Sequence, residues 1–292
     1  VTGGVLTDAG LRGLIGGPVS DAALPSHDDA ESALSELDHL LSQNNENDLV
    51  QYAIATHSVY LCSQETLLRA SDLAQRRNGR IHIHVSETRK EIADCKEKNG
   101  LYPIEYLDSI DFIQPGTIFA HASWVKKNEI QIVADRSVTT VHCPSSNMKL
   151  ACGGTLSFPP YRDAGADVRI GTDGAASSGN GLNMLHEARL ASLLQRHDHW
   201  DSTLFPAQDV FKLATKGSKD WVAWNLDDVR MRPVGRSNNR HIANLIYNGG
   251  DCLDVWVNGQ ALRKNGTTLT LDEHSIIEEL DEAVQTYYDG LE

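Results

Sequence analysis

The fold class is decided by residues 80–87, which read Arg-Ile-His-Ile-His-Val-Ser-Glu. Apolar side chains alternate with histidines in this segment, a pattern typical of a half-buried β-strand, and the segment ends at polar residues. The predicted strand is Arg80–Val85. Five further short apolar runs are predicted as strands: Gly10–Gly16, Tyr52–Thr56, Gly116–His121, Ser137–His142 and Asp167–Gly171.

Amphipathic segments separate these runs. Asp29–Gln43 repeats Ala and Leu near helical spacing after Asp28, a candidate N-cap residue. Gln64–Arg76 follows the same pattern after Ser63, and the remaining predicted helices are Asn180–Gln195 and Pro206–Lys216. Because strands that alternate with helices run parallel, the chain is predicted to be an α/β protein, either a doubly wound sheet or a (β/α) barrel.

The pattern changes after Trp224. Cys252–Val257 and Gln260–Arg263 flank Asn258-Gly259, which predicts a β-hairpin with a two-residue turn. A further strand at Thr267–Leu271 and a helix at Leu271–Leu291 complete the chain. We therefore divide it into a domain at residues 1–224 and a small C-terminal β appendage with a closing helix at residues 225–292.

The composition limits the function classes. The 292 residues include 26 Lys and Arg against 40 Asp and Glu, a formal net charge of −14, which argues against binding nucleic acid or an anionic membrane. No apolar run reaches the ~20 residues of a membrane helix, and Val1–Pro18 lacks the features of a secretory signal. Five cysteines, an odd and small number, suit reduced thiols. We expect a cytoplasmic protein that acts on a small molecule.

Residues capable of acid–base chemistry or metal binding follow the ends of five predicted strands: His57, His84 with Glu87, His121, His142 and Asp173. In parallel α/β folds the carboxyl ends of the strands converge, so these side chains are expected at one edge. Imidazoles together with a carboxylate predict a site for a divalent first-row metal, zinc or iron.

His82 allows two interpretations. Because side chains two apart share a strand face, His82 and His84 could together hold a metal ion. In the alternative, which we favour, His82 lies one layer deeper and only His84 reaches the edge.

Five motifs stand in an informative order along the chain. Thr56–Ser63, Ile81–Thr88, His142–Leu150, Gly171–Ser177 and Asn183–Arg189 together resemble the amidohydrolase superfamily, in the branch of S-adenosylhomocysteine/methylthioadenosine deaminases and chlorohydrolases. The resemblance spans roughly residues 11–213. It implies a (β/α)8-type, TIM-like barrel as the catalytic domain at residues 1–224.

The resemblance also implies a role for each candidate residue. His84 and Asp173 match metal ligands, and Asp173 also takes a proton from the attacking water. His121 matches a catalytic histidine that holds the transition-state oxygen, and Glu87 matches a catalytic glutamate that moves a proton to a substrate ring nitrogen. His57, like Glu87, matches a substrate contact.

The implied reaction is hydrolysis of a non-peptide C–N bond in a cyclic amidine. Ammonia would leave a purine-type or other N-heterocycle with the help of a divalent metal, zinc or alternatively iron. The alternatives are a heteroaromatic chlorohydrolase and a catalytically incomplete remnant. The branch also implies a possible homo-oligomer.

The sequence departs from the family at its beginning. The family's first-strand His-x-His metal ligands have no counterpart, and the first candidate strand matches the family's third, so we expect a barrel without its first two strands. Such a chain would bind metal weakly or aggregate through open strand edges. Ser146 and Asn147 are expected to cap a turn. No Lys or Arg lies between Gly13 and Leu68 to bind a substrate carboxylate.

Overall fold

A computed structural model describes residues 2–44, 49–176, 178–179, 181–217, 219–236 and 238–290. Its main feature is a six-stranded parallel sheet whose spatial order follows the chain. The strands are β1 Gly13–Val19, β2 Val50–Ser58, β3 Ile81–Val85, β4 Ile118–His121, β5 Thr139–His142 and β6 Asp167–Ile170. The predicted α/β class and all six predicted strands are confirmed, although β1 starts three residues late.

Helices connect the strands and cover the sheet. They are α1 Thr2–Ala9, α2 Ala30–Ser42, α3 Gln64–Arg77, α4 Arg89–Asn99, α5 Pro103–Ser109, α6 Lys127–Asp135, α7 Pro144–Lys149, α8 Phe158–Asp163, α9 Met184–His199, α10 Ala207–Thr215, α11 Asn238–Asn248 and α12 Glu273–Asp289. Asn180 and Leu291, which the sequence patterns placed in helices, lie outside the described residues.

Two predicted helix starts can be compared with the structure. Ser63 caps α3 as predicted, since its side chain accepts a hydrogen bond from the Thr66 N–H. The prediction of Asp28 as the cap of α2 is wrong. The next residue, Asp29, has the extended backbone of an N-cap and accepts the Ser32 N–H at 2.8 Å. Two adjacent aspartates are equivalent in a sequence pattern, and only the backbone conformation distinguishes them.

The core lies between the sheet and its helices. Ile81, Ile83 and Val85 of β3 are buried and join a cluster that includes Leu37 of α2 and Leu67 of α3. The alternate residues of β3 point to the other face of the sheet, because successive strand side chains point to opposite faces. The apolar residues therefore fix which face of β3 carries its histidines.

The sheet is open within the described residues. β1 and β6 each have only one neighbouring strand, so these six strands do not close into a barrel. The absence of the family's first two barrel strands stays a prediction. No helix in the described part of the chain is long and apolar enough to cross a membrane.

A second, antiparallel sheet lies near the C-terminus. Its spatial order is β10-β9-β8-β7, with β7 Trp221–Trp224, β8 Cys252–Val257, β9 Gln260–Lys264 and β10 Thr267–Thr268. The predicted hairpin is confirmed, but the strand predicted at Thr267–Leu271 is reduced to two residues. The domain boundary at residues 224 and 225 stays a prediction; β7 precedes it in the chain and pairs with β8, which follows it.

The two aspartates before α2 give a direct test of the cap. We expect Asp29→Ala to lower the free energy of unfolding by about 1 kcal/mol, because the Ser32 N–H loses its acceptor. Asp28→Ala is the matched control and should change it by less than about 0.5 kcal/mol. Urea unfolding of both variants decides the assignment, and an equal loss in the two would contradict it.

Candidate active site

The structure brings five of the six candidate side chains, all except that of His142, together at the carboxyl edge of the parallel sheet. The ring of His84 lies 5.0 Å from that of His57 and 5.5 Å from that of His121, centroid to centroid. The Nε2 atom of His121 is 3.9 Å from Oε1 of Glu87 and 3.9 Å from Oδ2 of Asp173. Three imidazoles and two carboxylates therefore share one small volume.

A backbone irregularity orients two of the histidines. The β2–β3 register shifts between Thr56 and Ser58, so His57 occupies an extra position in its strand. Its carbonyl oxygen accepts a hydrogen bond from Nδ1 of His84 at 2.7 Å. The proton of His84 is thereby placed on Nδ1, which leaves Nε2 available. Burial, followed by the nearby His84, lowers the pKa of His57.

His121 reaches the site through an unusual backbone conformation. It is paired with Val85, whose side chain faces the helices. However, His121 has a φ of +70° and Ala122 a φ of +47°, in the left-handed region. This twist turns the imidazole toward His84, where it is 2% exposed. Such a conformation is costly for a residue other than glycine and is common at functional sites.

Asn147 holds the His121 ring. Its Oδ1 lies 2.9 Å from Nδ1 of His121, and its amide group donates to Ser123. An amide oxygen only accepts hydrogen bonds, so Nδ1 carries a proton and Nε2 faces Glu87 and Asp173.

Asp173 is held by two donors. Ser146 donates to its Oδ2 and the Gly174 N–H to its Oδ1, both at 2.6 Å. Burial alone would raise the pKa of Asp173, but these hydrogen bonds, with smaller contributions from His121 and His84, lower it below its ordinary value. Asp173 is therefore ionised at neutral pH.

The expectation that Ser146 and Asn147 cap a turn is wrong. Both side chains are buried in α7 and bind Asp173 and His121 instead. Their place directly after β5 was the available signal, since loops at this edge face the site.

Cys152 is a further residue that sequence reasoning missed. Its thiol donates to Oε1 of Glu87 at 3.5 Å. Burial and the neighbouring Glu87 raise the pKa of Cys152 to about 11, so the thiol keeps its proton at neutral pH. Its sequence neighbourhood contains no second cysteine and resembles that of an ordinary buried thiol.

Two other strand histidines do not join the central group. His82 lies two residues before His84 on the same face, with the two rings edge to face at 5.3 Å. Burial and His84 lower its pKa to about 4, so it is neutral. His142 is buried, and neither of its ring nitrogens has a hydrogen-bond partner among the described residues. His142 pairs with Ile170 of β6, and its backbone does not have the positive φ that redirects His121.

The donor set is incomplete for a metal ion. A catalytic zinc site uses three protein ligands and a water. His84 and Asp173 are the predicted ligands, with His121 beside them. Yet within the ranges that the structure describes, no group of three or more His, Cys, Asp or Glu side chains is arranged to hold an ion. The residues present therefore do not by themselves fit a zinc site.

Comparison with known proteins establishes the relationship. The family model "Amidohydrolase family" matches residues 6–222. The chain belongs to the amidohydrolase family. This match confirms the predicted resemblance. Together with the relatives below, it also confirms the prediction of an enzyme of the deaminase/hydrolase type.

Deaminases are prominent among its relatives. The chain is 34% identical to 5'-deoxyadenosine deaminase of Methanosphaera stadtmanae, with 97% of this chain and 70% of the relative covered. It is 33% identical to 5-methylthioadenosine/S-adenosylhomocysteine deaminase of Pyrococcus furiosus, with 95% and 69% covered. For a third relative, 5'-deoxyadenosine deaminase of Methanothrix thermoacetophila, 65% is covered. This amidohydrolase chain thus spans about two thirds of the length of these relatives.

Solved structures share the fold. An adenosine deaminase from Xanthomonas campestris with bound zinc superposes with a TM-score of 0.89 at 26% identity, covering 96% of this chain and 67% of that one. A triazine hydrolase superposes with a TM-score of 0.84 at 22% identity, covering 94% and 66%. The second comparison supports the fold alone.

The orientation of His121 can be measured directly. We expect its Nδ1 to be protonated in the wild type and this preference to disappear in Asn147→Leu, because leucine offers no acceptor. Long-range ¹H–¹⁵N correlation spectra of histidine-labelled protein report the protonated nitrogen. His142, whose ring nitrogens have no hydrogen-bond partner among the described residues, is the internal control and should be unchanged. An unprotonated Nδ1 in the wild type would contradict the assignment.

Proposed function

We propose that this amidohydrolase removes ammonia hydrolytically from an amino group on a purine-type cyclic amidine. The observation that carries the proposal is the position of His121, whose Nε2 lies 3.9 Å from a carboxylate oxygen of both Glu87 and Asp173. Two carboxylates near the same imidazole nitrogen can supply the separate acid and base that such a reaction needs.

The reaction adds water across a C=N bond and then expels ammonia. The oxygen of water bonds to the ring carbon, one of its protons passes to a base, and the adjacent ring nitrogen gains a proton. Collapse of this adduct breaks the bond to the amino group, which leaves as ammonia after taking up a proton. The products are the ring carbonyl compound and ammonia, with no oxidant or reductant.

Each residue of the site is suited to one of these tasks. Asp173 is ionised at neutral pH and can accept the proton of the attacking water. Glu87 can carry a proton to the ring nitrogen. His121 can donate from Nε2, when that nitrogen is protonated, to the oxygen that develops negative charge. His57 lies beside His84 at the rim and can contact the heterocycle.

The substrate we propose is a nucleoside with an uncharged 5' substituent. Two relatives are named 5'-deoxyadenosine deaminase, which supports a purine ring. The segment from Gly13 to Leu68, which includes β1, β2 and the loops at their carboxyl ends, contains no Lys or Arg. A substrate with an amino-acid tail would leave its carboxylate without a cationic partner in this part of the chain.

A divalent metal, most simply zinc, is part of the proposal. It is supported by the zinc bound to the Xanthomonas campestris adenosine deaminase, and His84 and Asp173 are the ligands we propose. Because the donor set is incomplete, we derive no step through the metal. We also propose that the six strands correspond to part of a (β/α)8-type barrel, which the TM-score of 0.89 supports. The cytoplasmic location and a homo-oligomeric state stay predictions.

The role of Glu87 has a kinetic test. We expect Glu87→Gln to lower the rate of ammonia release from adenosine-type nucleosides by about 100-fold or more, because a positioned acid–base group contributes that much. Glu65→Gln, an exposed glutamate in the first turn of α3, is the control and should leave the rate unchanged. A coupled assay for ammonia measures both, and equal rates in the two variants would count against the role.

Metal content gives a second test, which does not depend on turnover. After dialysis at neutral pH we expect the purified chain to retain clearly less than one equivalent of zinc, because two of the usual three protein ligands are in place. His84→Ala should reduce the retained zinc further. Mass-spectrometric metal analysis checks both, and a full, tightly held equivalent in the wild type would show that the donor set is complete.

A further inference from the structure

The side chain of Glu91 holds the loop that carries Glu87. Glu91 is in the first turn of α4 and is 3% exposed. Its Oε1 accepts the backbone N–H of Ser86, and its Oε2 accepts the backbone N–H of Glu87, both at 2.8 Å. One buried carboxylate therefore binds two consecutive amides at the point where β3 passes into the site.

This arrangement departs from ordinary helix capping. In a capping box the glutamate at the third helical position binds the N–H of the cap residue itself. Glu129 does this at α6, where it accepts the N–H of Lys126 at 2.9 Å. Thr88 caps α4, and its side chain accepts the N–H of Glu91. The Glu91 carboxylate instead accepts the N–H groups of Glu87 and Ser86, which lie one and two residues before the cap residue. The carboxylate is thus used to fix the loop before the helix.

The same loop is bound on its other side by the segment after His121. The carbonyl oxygen of Ser86 accepts the N–H of Ser123 at 3.0 Å and that of Trp124 at 2.9 Å. Ser86 itself has a φ of +52°, a left-handed conformation that needs such support. Glu91 therefore binds the N–H of a residue whose carbonyl is linked to the segment carrying His121.

Keeping this carboxylate buried is costly. Burial raises the pKa of Glu91 to about 7, although the two backbone donors oppose the rise. A helix cap alone requires no such group, since the Thr88 side chain already accepts the N–H of Glu91.

We propose that Glu91 is a positioning residue, which sets the distance between the Glu87 carboxylate and His121. The catalytic meaning of that distance rests on the proposed function, but the positioning itself does not. Above pH 7 the Glu91 carboxylate is a charged acceptor, and charged acceptors form the stronger backbone hydrogen bonds, so at such a pH replacing it by an amide should release the loop.

Hydrogen exchange tests the positioning without any need for activity. We expect Glu91→Gln to speed exchange of the amides in residues 86–87 by about tenfold or more, with a smaller rise at residues 123–124. Glu129→Gln is a matched control, because Glu129 is 0% exposed and also accepts two backbone N–H groups, from Ile104 and Lys126. It should speed exchange at those two amides and leave residues 86–87 unchanged.

Two results would overturn the proposal. One is wild-type exchange at residues 86–87 as fast as in an unprotected loop, a measurement that does not require either variant to fold. The other is a rise at residues 86–87 that is equal in Glu91→Gln and Glu129→Gln, which would indicate general loosening.

A kinetic measurement separates this proposal from the proposed function. In the nucleoside deamination assay we expect Glu91→Gln to lower kcat by about tenfold with KM within about twofold, while Glu129→Gln keeps both. An unchanged kcat in Glu91→Gln would contradict a catalytic consequence of the positioning. If the wild-type protein itself released no ammonia, the proposed function would fail, and the exchange data would still decide the role of Glu91.

Discussion

Nε2 of His121 lies 3.9 Å from a carboxylate oxygen of Glu87 and 3.9 Å from one of Asp173, and the rest of the site depends on this contact. Two carboxylates this near the same point repel each other, and burial increases the cost because the local dielectric constant is low. The protein offsets that cost with hydrogen-bond donors. Ser146 and the Gly174 N–H bind Asp173, and the Cys152 thiol binds Glu87. These donors hold the two carboxylates near the imidazole.

The contact also requires backbone conformations that are unfavourable by themselves. Ser86, His121, Ala122 and Asp173 all have positive φ values between 47° and 70°. Each such residue costs of the order of 1–3 kcal/mol, and the surrounding structure must impose it. Here the buried strands below the site and the hydrogen bonds between the loops after β3 and β4 do so. The buried sheet therefore supports four residues of unfavourable backbone conformation at the edge where chemistry is proposed.

The acid–base groups of the site form a more complete set than its metal ligands do. Every carboxylate of the site has a defined partner, and Asn147 sets the ring orientation of His121. The described residues nevertheless provide no complete group of metal ligands, and the parallel sheet they form has two free edges. Metal ligands in an α/β fold come from the ends of several strands. The open sheet and the incomplete set of metal ligands therefore follow from the same architecture.

Local patterns in the sequence determined the six parallel strands, five of the twelve helices in the described residues, the C-terminal hairpin and the strand ends at which His57, His84 and Asp173 lie. These features depend on hydrophobic period and turn chemistry, which neighbouring residues specify. The strand pattern did not distinguish the two histidines His121 and His142; the family resemblance pointed to His121, and the tertiary structure supplies the physical reason. His121 and His142 look alike in the sequence, but a left-handed backbone turns only the first toward the site. The tertiary structure also brings Asn147 into contact with His121, and Glu91 into contact with the loop that carries Glu87. Such contacts join side chains to groups on other turns or strands, and their geometry exists only after the sheet has formed.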